Sequence, residues 1–506
     1  MLLFNTIARG ISFVLSIILA KTFIPADTDV YLYIWSLINI VMVIMSAVNL
    51  MAAGPEYIRL CETGDLKGAA DLNSGLLNIF LTPLLIFSVI TLLMPVGTYQ
   101  LISGFKAGQL APVIEMLRFS GIWLVLVILN NFLGNVLLSR KYFVGSILGQ
   151  VMAASFTLLF ILVFKHQLGI KSFFIGQIGG NLLCLGFYIY QLSRRIKEKF
   201  RLFYFILSKK VVKELMASIT IAVPTLITNF ILVYLLSRMA VGQLSAYNYG
   251  TTLSNLPDVI IISQFISVIG VKFSEISASK QQDVLFGALR YFGNHLFFFM
   301  SGIAVIITLL SPVIIQFFYG KQNLGESTYN TAVLTLAVIS GTLAFKSLDV
   351  LHNRVFASLQ ALSALMKYTV PLKIGNIGLL ILLTWQFGFY GILIQQTSMA
   401  FMMMALQLYL FGKYLPAKKI KMYAGQITLL FFGSLVAYIL GRLLMKYVIV
   451  HYSVTIQIIL VSVLVLVLGI LLEKTFKATM LFDLVLKRVG VFFNPSTRRN
   501  TSGTSG

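Results

Sequence analysis

Acidic residues are scarce in this chain: 16 Asp and Glu stand against 39 Lys and Arg in 506 residues, and charged residues together make up 11%. A soluble domain carries roughly 25% to keep its surface in water, so a soluble enzyme is excluded. Cysteine is nearly absent, and Cys61 and Cys184 supply neither a disulfide framework nor a four-ligand zinc site. The four histidines, His166, His295, His352 and His451, form no His-Glu-x-x-His or His-x-His pattern. No Walker A lysine loop and no Gly-x-Gly-x-x-Gly turn between a strand and a helix occur, which argues against nucleotide hydrolysis.

What is abundant is apolar sequence, with 58% hydrophobic residues and a mean hydropathy of +0.92. Runs of about 20 apolar residues recur, the length of a helix crossing about 30 Å of hydrocarbon. At about 36 residues for a span and its loop, the chain holds about fourteen. The expected fold class is an all-α polytopic membrane protein of fourteen transmembrane helices: two six-helix lobes as parallel repeats, plus two C-terminal helices. Polar breaks place the spans near 3–24, 29–53, 73–96, 112–137, 143–164, 170–192, 214–237, 246–271, 286–310, 329–352, 366–385, 389–412, 422–445 and 453–472. The first begins at Met1 without an n-region or cleavage site, so it is not expected to be a removable signal peptide.

Basic residues orient the chain. With the N-terminus inside, cytoplasmic loops and tail hold 26 of the 39, while the opposite loops hold seven: Lys21, Lys106, Lys165, Lys171, Arg238, Lys321 and Lys446. Insertion retains Lys and Arg on the cytoplasmic side, so both termini are expected on the cytoplasmic side of the membrane. The net charge of +23 then reads as topological signal and attraction to anionic lipids, not as a nucleic-acid site. The end of the chain, Asn494–Gly506, reads as disordered.

The longest basic loop divides the first twelve spans into six and six. Residues 1–193 are expected as one lobe, 194–213 as a linker and 214–413 as a second lobe. Residues 414–473 hold spans thirteen and fourteen, and 474–506 form a basic tail. Lys21 before a Tyr-rich helix is mirrored by Arg238 before another, at an offset of 217. Leu137-Leu138-Ser139-Arg140 is mirrored by Leu351-His352-Asn353-Arg354 at an offset of 214. Six is an even number, so the halves insert with the same orientation, as parallel repeats in a transporter.

Ionisable residues inside the bilayer are costly and mark function by default. Arg118 (with Glu115 three residues before it), Arg290 and Arg442 lie near interfaces, where snorkelling and positive-inside packing account for them. Arg9, Lys346 and Lys373 lie deeper, with Asp349 three residues beyond Lys346 as a potential neutralising partner. Asn5, Asn39, Asn229, Asn255, Asp258 and Gln264 add polar groups on spans one, two, seven and eight. Cations with amides suit an anionic, sugar-bearing cargo: the cations for phosphate, the amides for hydroxyls.

Several segments resemble the multidrug/oligosaccharidyl-lipid/polysaccharide exporter superfamily, and within it the MurJ (MviN) lipid II flippases. Ala8-Arg9 resembles the Ser-Arg opening that family's first helix. Thr28-Asp29-Val30-Tyr31 resembles its Thr-Asp-x-Phe, with Asn39 matching a later asparagine. Leu256-Pro257 is similar to its Phe-Pro, Phe317-Phe318-Tyr319-Gly320 to its loop after helix nine, and Arg354–Gln360 with Lys367 to its Arg-x-Phe-Tyr-Ala-Leu segment and following lysine. The two extra C-terminal helices match as well; in that family they form a groove for the lipid tail. The family's essential arginines of helices one, two and eight fall at Leu15, Met42 and Thr252, and an aspartate beside the first falls at Ser16.

The resemblance implies a flippase, not an enzyme, that carries a polyprenyl-(pyro)phosphate-linked oligosaccharide, either a cell-envelope polysaccharide unit or a peptidoglycan precursor. Arg9, Lys346 and Lys373 are the expected phosphate-binding residues; the amides and Asp258 are expected to line the cavity and meet the sugars. No cofactor or metal is expected beyond a coupling cation (Na+ or H+) or the membrane potential. The expected partners are glycosyltransferases or a polymerase of the same pathway, around a monomer. The alternative, a cation-coupled multidrug antiporter, needs cavity carboxylates, for which Asp258, Asp349 and Glu115 are the candidates.

Overall fold

The computed structural model describes residues 2–48, 63–93, 110–140, 142–196, 204–262, 282–359 and 361–447, with isolated positions between and beyond them. Of residues 2–9 it describes the backbone alone. Nearly every apolar run within these residues is a helix, because in hydrocarbon a helix satisfies its own backbone polar groups. The first half comprises α1 (Leu2–Thr22), α2 (Pro25–Val48), α3 (Leu66–Leu93), α4 (Leu110–Ser139), α5 (Phe143–Leu168) and α6 (Lys171–Gln191). Then follow α7 (Lys209–Ser237), α8 (Gln243–Ser254), α9 (Gln282–Tyr319), α10 (Glu326–Ser340), α11 (Leu343–Ser358), α12 (Leu362–Phe387), α13 (Phe389–Tyr414) and α14 (Ala417–Tyr447). No strand occurs among the described residues. Eight of the described helices are long and apolar enough to cross a membrane, or nine if α10 and α11 form one bent span. The expected span near 453–472 falls almost wholly outside the described residues.

The outward faces are apolar, the reverse of a soluble protein. Along α3, Leu85, Ile86, Phe87, Val89, Ile90 and Leu93 are exposed. At the α12–α13 turn Trp385 is 83% and Tyr390 64% exposed, an aromatic pair of the kind that marks a membrane–water interface. Gly388 makes that turn with φ +56°, a conformation few other residues adopt.

Two expected spans are broken. The eighth ends as a regular helix at Ser254; Asn255 lies in a turn and a π-helical turn, Asp258–Ile262, follows. Pro257 lacks an N–H and its ring displaces the carbonyl one turn before it, which interrupts the ladder. The tenth bends by 44° between α10 and α11. Hydroxyls serve the carbonyls beside this bend: Thr342 Oγ1 donates to Ile339 O at 2.7 Å and Thr308 Oγ1 to Ala337 O at 3.1 Å.

The chain packs as two units, one of Met1–Tyr249, Ile315–Ala332 and Val370–Gln395, the other of Gly250–Ile314, Val333–Thr369 and Gln396–Gly506. In the first, Gly176 and Gly180 lie one turn apart on α6 against α5. Thr157 Oγ1 bonds to Gly176 O at 3.1 Å, and a Cβ at Gly180 would meet the Ala153 carbonyl. Small residues let helices approach where no hydrophobic force drives them together. Gly180→Leu is therefore expected to destabilise the α5–α6 pair by about 2 kcal/mol. A lower melting midpoint in detergent would show it; an unchanged midpoint would refute it.

In the second unit, Phe297, Leu348, Leu351, Phe356 and Phe411 form a buried core, with Phe356 and Phe411 stacked at 4.3 Å. His352 is buried within it, bonded through Nδ1 to Gln407 Oε1 at 2.9 Å and through Nε2 to the Tyr423 hydroxyl at 3.1 Å. Gln407 Nε2 donates to Asp349 Oδ1 at 2.5 Å, so the Gln407 oxygen faces His352 and its Nδ1 carries the proton. Tyr423 belongs to α14, which is also tied to α9: Lys419 pairs with Asp283 at 2.7 Å, and Arg290 Nε and Asn294 Nδ2 donate to Gln426 Oε1 at 2.8 and 2.9 Å.

Candidate functional site

The most completely built polar cluster joins the start of α2 to the start of α8. Asp29 is 3% exposed, and its Oδ2 accepts the Gly242 N–H at 2.6 Å. Its Oδ1 accepts the Ser245 N–H at 2.7 Å and the Ser245 hydroxyl at 2.5 Å. Thr28 Oγ1 lies 2.7 Å from Ser245 Oγ, with the Thr28 hydroxyl also 2.9 Å from Pro25 O. The free N–H groups of a helix N-terminus carry partial positive charge, and a carboxylate both satisfies and neutralises them. Gly242 takes φ +88°, and a Cβ there would strike Thr328, so this approach needs glycine.

The intramembrane cations fall in separate surroundings. Lys373, on α12, donates from Nζ to Thr225 Oγ1 of α7 at 2.9 Å, within the first unit. Asn229 follows Thr225 by one turn and is partly buried. One turn along α12, Asn376 Oδ1 accepts from Gln395 Nε2 at 2.6 Å. In the second unit, Lys346 of α11 and Asp258 lie close enough for their opposite charges to attract. Ser347 Oγ donates to Asp258 Oδ1 at 3.3 Å. The Asp349 carboxylate instead accepts from Gln407 and, at 3.3 Å, from Asn353.

Asn39 and Asn255 are exposed, each within its own unit. Asn5 and Arg9 lie in α1, but their side chains, like Gln264 altogether, are outside the described residues. Glu115, expected beside Arg118, forms an ion pair with Lys171 at 2.8 Å. Arg442 Nη1 donates to the Tyr438 hydroxyl at 3.0 Å. A cavity of about 220 Å³ opens at the α10–α11 bend, lined by Phe297, Ser301, Thr308, Gly341, Phe345 and Tyr438, a lining suited to an alkyl or isoprenoid chain.

Pattern reading did not single out Ser245 or Gly242, and it met Asp29 only within a resembling motif. One signal was available: Thr28 and Ser245 are 217 residues apart, the offset at which the halves mirror each other.

A family model described as "Lipid II flippase MurJ" matches residues 21–459. No curated protein matches the sequence. Among solved structures, a lipid II flippase MurJ in an inward closed conformation aligns with a TM-score of 0.76 at 16% identity, covering 96% of this chain and 100% of that one. An inward-facing multidrug resistance MATE family transporter of the MOP superfamily aligns with 0.61 at 14% identity, covering 84% and 96%. A Vibrio cholerae MATE transporter aligns with 0.56 at 13%, covering 81% and 95%.

Proposed function

Because this chain belongs to the MurJ lipid II flippase family, a family of transporters and not of enzymes, we propose that it moves a polyprenyl-(pyro)phosphate-linked oligosaccharide across the bacterial cytoplasmic membrane. Transport runs from the inner to the outer leaflet by alternating access of two six-helix repeats, in a chain of fourteen spans with both termini cytoplasmic. The Thr28–Ser245 hydroxyl contact supports the repeat, since a residue that touches its own repeat mate lies on the axis relating the two halves.

The observation that carries the substrate class is the group around Lys373: an ammonium on a membrane helix held on Thr225, with Asn229 one turn beyond that threonine on α7 and Asn376 one turn along α12. The ammonium suits phosphate and the amides suit sugar hydroxyls. Arg9, in the first unit, and Lys346, in the second, are the other residues proposed to bind phosphate. Asn5, Asn39, Asn255, Asp258 and Gln264 are the other polar residues proposed to meet the cargo. Leu15, Met42 and Thr252 replace the arginines that the resemblance places in lipid II flippases, so the headgroup is assigned to a polysaccharide repeat unit in preference to lipid II. Its tail is assigned to the bilayer along spans thirteen and fourteen, and glycosyltransferases or a polymerase act on either side of the step. A cationic site responds to the membrane potential, since one charge crossing 100 mV changes energy by about 2.3 kcal/mol.

A drug antiporter is disfavoured because its candidate carboxylates are engaged: Asp258 with Lys346, Glu115 with Lys171, Asp349 with Gln407. Lys373→Gln is expected to lower flipping of a polyprenyl-diphosphate saccharide in proteoliposomes by about tenfold, the cost of one charge-assisted contact of about 1.5 kcal/mol. Flipping at the normal rate by well-folded Lys373→Gln protein would remove this residue from the site.

A further inference from the structure

Three aromatic rings form a near-parallel ladder in the first unit. Trp123 of α4 is fully buried and stacks against Tyr31 at 5.8 Å and 23°, and against Trp35 at 5.4 Å and 18°. Phe174 meets Trp123 edge-on at 5.6 Å. Tyr31 is buried, whereas Trp35 is only partly so; the ladder therefore ends in an indole with accessible surface.

Asn39 lies one turn beyond Trp35 on α2 and is exposed, so the two share a face. Asn39 is about 20 Å along the helix from Pro25, at mid-membrane depth. A carboxamide exposed to lipid at that depth is costly, so the face it shares with Trp35 borders water. The Trp123 indole N–H has no hydrogen-bond partner among the described residues. A phenylalanine would avoid that orphan donor, which points to the broad indole face as what this position uses.

A pyranose ring offers C–H groups on its faces and hydroxyls around its rim. The C–H groups suit the electron-rich face of an indole, and the hydroxyls suit an amide. We infer that Trp35, backed by Trp123, docks a sugar ring of the transported lipid, with Asn39 meeting its hydroxyls. The inference rests on the flippase reading and deepens it, because it assigns the saccharide its own wall, distinct from the cations that take the phosphate.

The chain has three tryptophans, and Trp385 is the lipid-exposed one. In a Trp385→Phe background, the indole emission reports Trp35 and Trp123 alone. Full-length protein in nanodiscs is titrated with radiolabelled undecaprenyl diphosphate, bare or carrying one N-acetylglucosamine. The sugar-bearing lipid is expected to bind about tenfold more tightly, or about 1.4 kcal/mol, and to change the emission. Trp35→Leu should abolish that preference without weakening the bare lipid, and Trp35→Phe, which keeps an aromatic face, should retain part of it. Equal affinity for the two lipids, or a preference that survives Trp35→Leu, overturns the sugar wall and leaves the flippase reading standing. Failure of both lipids to bind defeats the two together.

Discussion

Replacing Asp29 with alanine is expected to cut transport by about a hundredfold in protein that still inserts and stays monodisperse. The carboxylate accepts two backbone N–H groups and one hydroxyl at 2.5–2.7 Å, from Gly242 just before α8 and Ser245 in its first turn. Hydrogen bonds to a charged group contribute about 1.5–3 kcal/mol each, and loss of an N-cap alone costs about 1 kcal/mol. Because such bonds are not additive, about 3 kcal/mol is a reasonable total, and that shifts a two-state equilibrium by about a hundredfold. Alternating access depends on such an equilibrium, so transport suffers more than folding. Ser245→Ala removes one hydroxyl and keeps both backbone donors; its loss should be about tenfold or less. Asp29→Asn should fall between the two. Flipping rates in proteoliposomes, normalised to correctly inserted protein, rank the three. Equal activity of Asp29→Ala and the native chain would show that this cluster takes no part in the cycle.

The second large effect is expected at Lys346, and it separates a structural charge from a binding one. Removing one partner of a buried ion pair leaves the other charge uncompensated, which costs about 3–5 kcal/mol; exposed pairs are worth under about 1 kcal/mol. Lys346 and Asp258 are both partly buried, so Lys346→Met is expected to destabilise the second unit by about 2 kcal/mol. Adding Asp258→Asn removes the stranded charge and should restore the melting midpoint. Transport should not return, because the double variant also lacks the ammonium for the phosphate. A double variant that is both stable and fully active would make the pair structural.

Much of the architecture was legible along the chain. The apolar runs near 112–137 and 143–164 lie within α4 and α5, and the limits differ by a few residues because helices continue through polar flanks into the interface. The eighth span was expected to run unbroken over 246–271 although Pro257 lies within it, and the 44° bend in the tenth carries no proline to mark it. The partner of Lys346 was misplaced for a related reason. Spacing along one helix favours Asp349 at i+3, yet the charge that acts on Lys346 is Asp258, from the π-helical turn after Pro257. Lys373 stood out as an intramembrane cation, but Thr225, which accepts a hydrogen bond from it, is 148 residues away.

The scarcity of acidic residues and the recurrence of apolar runs determined, without coordinates, that this is a helical membrane protein; ordered short motifs pointed to its family. Those properties are local, since a helix in hydrocarbon satisfies its own backbone and declares itself by composition over about 20 residues. Which carboxylate caps α8, which charge answers Lys346 and which indole ends the ladder at Trp35 were decided only by tertiary structure. Each depends on two groups from distant parts of the chain meeting within a few ångströms, where removal from water makes the pairing matter.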